Sequence, residues 1–312
     1  MITVKHYNVT DKQLWDSFID GSKNGTFMLK RDYVEYHSDR FQDYSLMFFD
    51  DNSLVAVLPA SLHANEVRSH GGLTYGGIIC NKKMTAQKML VVFDSLIDFL
   101  RGEQKSTLIY KRVPSVYFTY PSDEDLYALF RVNAELFRRD ISTAIYLPEK
   151  IRFNERRRRN IKKAIKANLE FKETDDYRGY VDMLSEVLKI QHGVKPVHSC
   201  AEIEHLVSCF PDNIKLYAAY DGEKMLAGSL LFLTDKVVHA QYIANSQDGK
   251  SCGALDFVFD NLINDVFNDK TYFDFGISTE DGGRVLNEGL IEQKQEFGGR
   301  AIIYDFYRIN IF

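Results

Sequence analysis

Asp274 stands between two phenylalanines, in Phe273-Asp274-Phe275. An aspartate among aromatics in a strand lies at the sheet end, is paired with a donor, or works as a base or amine anchor. Tyr304 and Tyr307 carry phenols that suit proton donation to a leaving group or the lining of a cleft, although core tyrosines with a wet tip are commoner. His239 sits inside an apolar run, where a satisfied structural histidine is the ordinary reading. Tyr75-Gly76-Gly77 follows Gly71-Gly72; such glycines let a backbone approach a ligand closely, or mark a bulge. Arg156 to Arg159 form an unbroken run that suits phosphate binding, or a solvated helix face. The run covers little more than one helical turn, so its four side chains cannot share one direction.

Charge singles out the same region. Residues 150–166 hold nine Lys or Arg against the single acid Glu155, a local +8 in a chain of formal charge −5, so the rest carries −13. That asymmetry implies one site for an anionic partner on an acidic surface. No stretch interleaves aromatics with basic residues in the manner of sequence-specific nucleic-acid readers. Cys80, Cys200, Cys209 and Cys252 form no CxxC pair and have no histidine at metal spacing, so free thiols and no metal are expected. No nucleophile elbow, phosphate-binding P-loop or dinucleotide fingerprint is present. The first residues lack an apolar signal core and no apolar run is long enough to span a bilayer, which makes the cytoplasm the expected compartment.

The elements that must position these residues come in two similar sets. In the C-terminal half, 214–220 and 225–234 flank Asp221-Gly222, a hairpin signal. A strand at 237–245, a Gly-containing loop, a helix from 255 to 266, a strand at 271–277, a helix near 286–297 and a strand at 301–309 follow. The N-terminal half repeats this order. It has a hairpin at 44–50 and 53–62, a glycine-bearing strand at 73–79 and a helix near 85–101. A strand at 107–113, a helix at 124–139 and a strand at 141–147 complete it. Pro148 ends that last strand. The spacing predicts two α/β (α+β) domains, residues 1–149 and 150–312, each a mixed, mainly antiparallel sheet flanked by helices. The basic segment opens the second as a helix capped by Asn154, with further helices near 177–191 and 199–210.

Hairpin, long strand, loop, helix, strand, helix, strand is the order of the GNAT acyltransferase core. Asn287 and Leu290 resemble the start of the late GNAT helix, whose usual tyrosine is Lys294 here. Lys294, Phe297 and Gly298 are similar to the Phe-Lys-x-x-Phe-Gly of the tandem-GNAT, Fem-type aminoacyltransferases, with Gln293 in place of the first Phe. Phe273 to Gly276, Tyr304 to Tyr307, Tyr75 to Gly77 and the arginine-rich helix also look like that branch. The resemblance implies two tandem GNAT-like domains with the transfer site in the second. It implies Lys294 as stabiliser of the oxyanion, with Asp274 and Tyr304 in the same cleft. It implies Lys250, Gly253 and Asn287 on a CoA donor, and Tyr75, Gly76, Arg156 and Arg159 on the acceptor or its phosphates. The stretch Lys250-Ser251-Cys252-Gly253-Ala254-Leu255 keeps the cation and first glycine of the usual pyrophosphate loop but ends on Leu. The implied activity is acyl transfer from acyl-CoA to an amine or hydroxyl of a small or cell-envelope-related acceptor. Its alternatives are aminoacyl transfer from tRNA to a peptidoglycan precursor and a non-catalytic binding module.

Overall fold

The structure is a computed structural model that describes residues 2–311, without the side chains of residues 191 and 192. The chain forms two compact units. One contains residues 1–141, 279–285 and 303–312; the other contains 142–278 and 286–302.

In the first unit, Ile2–His6, Leu46–Asp50, Ser53–Leu58 and Ile79–Cys80 make an antiparallel sheet in that order. The helix Ala86–Gly102 packs Met89, Val92, Phe93, Leu96 and Leu100 into the core, the i, i+3, i+4 stripe of an amphipathic helix. Thr85 caps its first turn by accepting from Lys88 N–H. Thr107–Lys111 then pairs antiparallel with residues 306–310 of the last strand.

The second unit repeats the order: Glu170–Glu173, Ile214–Asp221, Lys224–Leu233 and Val237–Asn245, all antiparallel neighbours. Tyr272–Ile277 follows as a parallel neighbour, and its other edge pairs with residues 142–146. Helices Glu155–Lys166, Tyr177–His192, Cys200–Cys209, Ala254–Asn261 and Glu288–Gln295 complete the unit. Its core gathers Ile161, Leu231, Val258, Phe259, Phe273, Phe275 and Phe297.

The last strand of each half is exchanged. Strand Glu135–Tyr146, from the N-terminal half, completes the second unit with residues 142–146; strand Arg300–Asn310 returns to the first unit at residue 303. Packing therefore divides the chain at 141/142, whereas the sequence order alone suggests 149/150. Three local expectations change. The helix read at 124–139 stops at Arg131, because Asn133 takes a left-handed conformation (φ 53°) that ends it, and a long strand starts at Glu135. The strand read at 73–79 keeps only Ile79–Cys80. The loop after Asn245 contains a short helix, Gln247–Cys252, capped by Ser246 and closed by Gly253 at φ 80°.

Candidate functional site

The parallel ladder between Val237–Asn245 and Tyr272–Ile277 joins only Val237–His239 to Tyr272–Asp274. Past the last pair, Ile243 and Asn245 on one strand and Phe275 on the other line a cavity of about 390 Å³. Leu255, Asp256 and Phe259 of helix Ala254–Asn261 form one wall; Leu290, Gln293 and Lys294 of helix Glu288–Gln295 form another. Arg157, Asn160 and Lys250 add polar groups, so three cations face the cavity against one carboxylate. Past the last ladder pair the strands part, and the wedge between them admits a ligand.

Lys294 is buried, only 6% exposed. Its ammonium donates to the carbonyls of Gly276 (2.7 Å) and Ile277 (2.8 Å) and to Ser278 Oγ (2.8 Å). All three partners are neutral, so the positive charge is oriented without being cancelled. Burial pushes the ammonium down to about 8, with the Asp274 carboxylate opposing the shift.

Asp274 is 0% exposed and does not line the cavity. It accepts from Ser142 Oγ (2.6 Å) and from Gly276 N–H (3.0 Å), and its other oxygen meets His239 Nδ1 at 2.9 Å. Successive strand residues face opposite sides, so Asp274 lies on the face away from Phe275. His239 joins it there because strand Val237–Asn245 carries a bulge. Leu230 pairs with Tyr242 and Leu231 with Ala240, leaving Gln241 as the extra residue that reverses the alternation. Gly276 (φ 78°) connects the faces: its N–H binds Asp274 and its carbonyl binds Lys294. A left-handed conformation there favours glycine.

Residues 152–281 match the family described as acetyltransferase (GNAT) domain. Among solved structures, FemX superposes with a TM-score of 0.69 at 11% identity, over 97% of this chain and 96% of its own. The C-terminal domain (DUF2156) of a proposed lysylphosphatidylglycerol synthetase from Agrobacterium fabrum gives 0.64 at 12% identity, over 97% and 93%. A tandem GNAT protein from the clavulanic acid biosynthesis pathway gives 0.53 at 8% identity, over 100% and 99%. The chain shares the two-unit fold of FemX and of the tandem GNAT protein. No curated protein matches its sequence. Together the domain match and the fold support acyl transfer as the general chemistry.

Within this GNAT fold the expected site residues separate into groups. Lys294 lines the cavity; Asp274 does not, and Gly276 links the two. Tyr304 belongs to the first unit, where it is buried with its hydroxyl 3.1 Å from that of Tyr117, and it does not line the cavity. The expectation of one cleft shared by all three is therefore corrected. Lys250 lines the cavity. Gly253 does not: a β-carbon there would stand 2.4 Å from the Asn160 carbonyl oxygen, so this glycine serves the contact between two helices. Asn287 caps the late helix by accepting from Leu290 N–H (3.0 Å). Tyr75 is buried and donates to Thr26 Oγ1 (3.1 Å). Gly76 makes a parallel bridge to Arg112, and a β-carbon would strike the Ser69 carbonyl. Both serve packing in the first unit. Arg156 pairs with Glu296 (2.5 Å), and Arg159 is exposed beside Glu155 (3.5 Å).

The arginine that faces the cavity is Arg157. It bonds Asp256 (2.9 Å) and Glu296 (3.0 Å) and lies over the Phe297 ring at 4.6 Å. The run of four hid it. Its helical register was the available signal, because it falls on the side of Ile161 and Ala164. Asn160, Asp256 and Asn245 carried no sequence signal of their own.

Proposed function

We propose that the second unit transfers an acyl group from an acyl thioester, such as acyl-CoA, to an amine or hydroxyl of a small or cell-envelope-related acceptor. One observation carries the reading: the cavity in the strand wedge, with the oriented charge of Lys294 in its wall. The thioester carbonyl enters between the parted strands. Its developing oxyanion meets backbone N–H groups and the field of Lys294. Burial lowers the local dielectric and strengthens that field. The acceptor attacks from the opposite face, where His239, held by Asp274 as the positioning residue, takes its proton. The tetrahedral intermediate then collapses, the C–S bond breaks, and the thiolate leaves along the wedge and takes a proton from solvent. The envelope-related acceptor is suggested by the FemX and lysylphosphatidylglycerol synthetase neighbours.

Aminoacyl transfer from tRNA is a second reading, favoured by the exposed cations of helix Glu155–Lys166. Thermal-shift measurements with acetyl-CoA, longer acyl-CoAs and bulk tRNA separate the two, since a ligand in excess of its Kd raises Tm. A shift with the thioesters supports the proposal. A shift with tRNA alone transfers it to the second reading. No shift with any of them leaves a binding module that has lost the chemistry.

A further inference from the structure

The end of helix Ala254–Asn261 that a pyrophosphate would approach is already closed. The backbone of helix Glu155–Lys166 packs there, with the Asn160 carbonyl against Gly253. Asp256, in the first turn, is buried and bonded to Arg157 (2.9 Å) and Asn160 (3.2 Å). A carbonyl oxygen and a carboxylate at this point repel a phosphate instead of binding it. What remains open is the wedge cavity, whose 390 Å³ lies near the lower end of the roughly 300–1,000 Å³ usual for small-ligand sites. Beside it is a smaller cavity of about 220 Å³ lined in part by Asn245, Ser246, Asp248 and Lys250, where Asp248 and Glu186 again set carboxylates against a phosphate. Val187, Ile243, Leu255, Phe259, Phe275 and Phe297 give the wedge cavity an apolar lining suited to a slender arm.

The outer face of helix Glu155–Lys166 is strongly basic. Arg156, Arg159, Lys162, Lys163 and Lys166 are exposed. Lys162, Lys163 and Lys166 meet no carboxylate among the described residues. Arg156, Asn160 and Lys163 follow at i, i+4, i+7 and share one strip of the helix. Asn160 lines the cavity, so the charged row runs along its border. Ile165, 55% exposed, stands among these cations.

We propose that the acyl donor arrives on a pantetheine arm carried by a small acidic carrier protein, which docks on this helix and feeds the arm into the wedge. The inference rests on the acyl-thioester reading above and names its donor. Cations around an exposed aliphatic side chain match a protein interface, with an apolar centre and a charged rim. The patch is only about 18 Å long, from 12 residues at 1.5 Å each. The remaining chain carries −13, which repels a longer polyanion such as tRNA beyond the patch.

The test measures binding of an acidic acyl carrier protein whose arm bears a non-hydrolysable acyl amide. The same acyl amide on free pantetheine and on CoA, and bulk tRNA, are the comparison probes. The carrier is expected to bind about ten-fold or more tighter than the free arm, with an advantage that salt weakens. Lys162→Glu, Lys163→Glu and Lys166→Glu together should abolish that advantage and leave binding of the free arm unchanged. A carrier that binds no tighter than the arm, a CoA form that binds tighter than the carrier, or a triple variant with full carrier affinity overturns the inference. Tight tRNA binding lost in the same variant also overturns it and assigns the face to RNA. If neither the arm nor the CoA form binds, the acyl-thioester reading itself fails, and the carrier falls with it.

Discussion

Replacing Lys294 by Met removes a charge and three hydrogen bonds while keeping most of the side-chain volume. The carbonyls of Gly276 and Ile277 and the hydroxyl of Ser278 lose their donor inside the wall. An unsatisfied buried acceptor costs about 1–3 kcal/mol, and the Ser278 hydroxyl can turn to another partner. Losing the desolvated ammonium gives back part of the cost, so a net destabilisation of about 3 kcal/mol is expected. A lysine exposed on the outer face of the helix would have cost almost nothing. Catalysis should lose a comparable amount, about 3 kcal/mol or roughly 100-fold in turnover, if the charge stabilises the oxyanion. The assay pairs thiol release from the acyl thioester with denaturant unfolding. Ser278→Ala is the control: it removes one bond and keeps the charge, so stability should fall by about 1 kcal/mol with turnover nearly intact. A Met variant that is destabilised but fully active would make Lys294 a strut between strand and helix and refute the catalytic argument.

The pH response divides the same two roles. Lys294 is pushed down to about 8 in the folded protein against 10.5 as its ordinary value. Between these pH values the unfolded chain binds the extra proton, so the stability contributed by this group rises as pH rises through the window. Turnover that needs the charge should fall above about pH 8, and a wild-type profile parallel to that of Lys294→Met would contradict this. His239→Gln should lower turnover about 100-fold or more with little change in donor KM; an equal rise in KM would point to a packing role instead. Gly253→Ala forces a β-carbon onto the Asn160 carbonyl at φ 80° and should lower Tm by several degrees in calorimetry. An unchanged Tm would mean that the two helices do not meet there. Burial pushes the Cys80 thiol up to about 12, so it should resist maleimide until the protein unfolds, while the partly exposed Cys200, Cys209 and Cys252 react first.

The sequence by itself determined the order of most elements, and its resemblance to the GNAT core implied acyl transfer. Local periodicity was enough for the elements: the stripe of Met89 to Leu100, the Asp221-Gly222 turn and the 237–245 strand all stand where patterning puts them. It also determined that Lys294 belongs to the late helix, and the structure adds that this lysine is buried in the cavity wall. Where pattern and structure part, the cause is pairing between distant segments. The extra residue Gln241 moves His239 to the face opposite Ile243, and nothing in the strand's own sequence records that shift. The exchange of the two last strands sends Tyr304 to the first unit, because a strand's partner is set by the sheet edge that its path reaches. Arg157 turns inward and its neighbours outward once Asp256, Glu296 and Phe297 are brought beside it from 99 or more residues away. Only the tertiary structure decided these, since each depends on contacts that close long loops, and local propensity carries no information about which loops close.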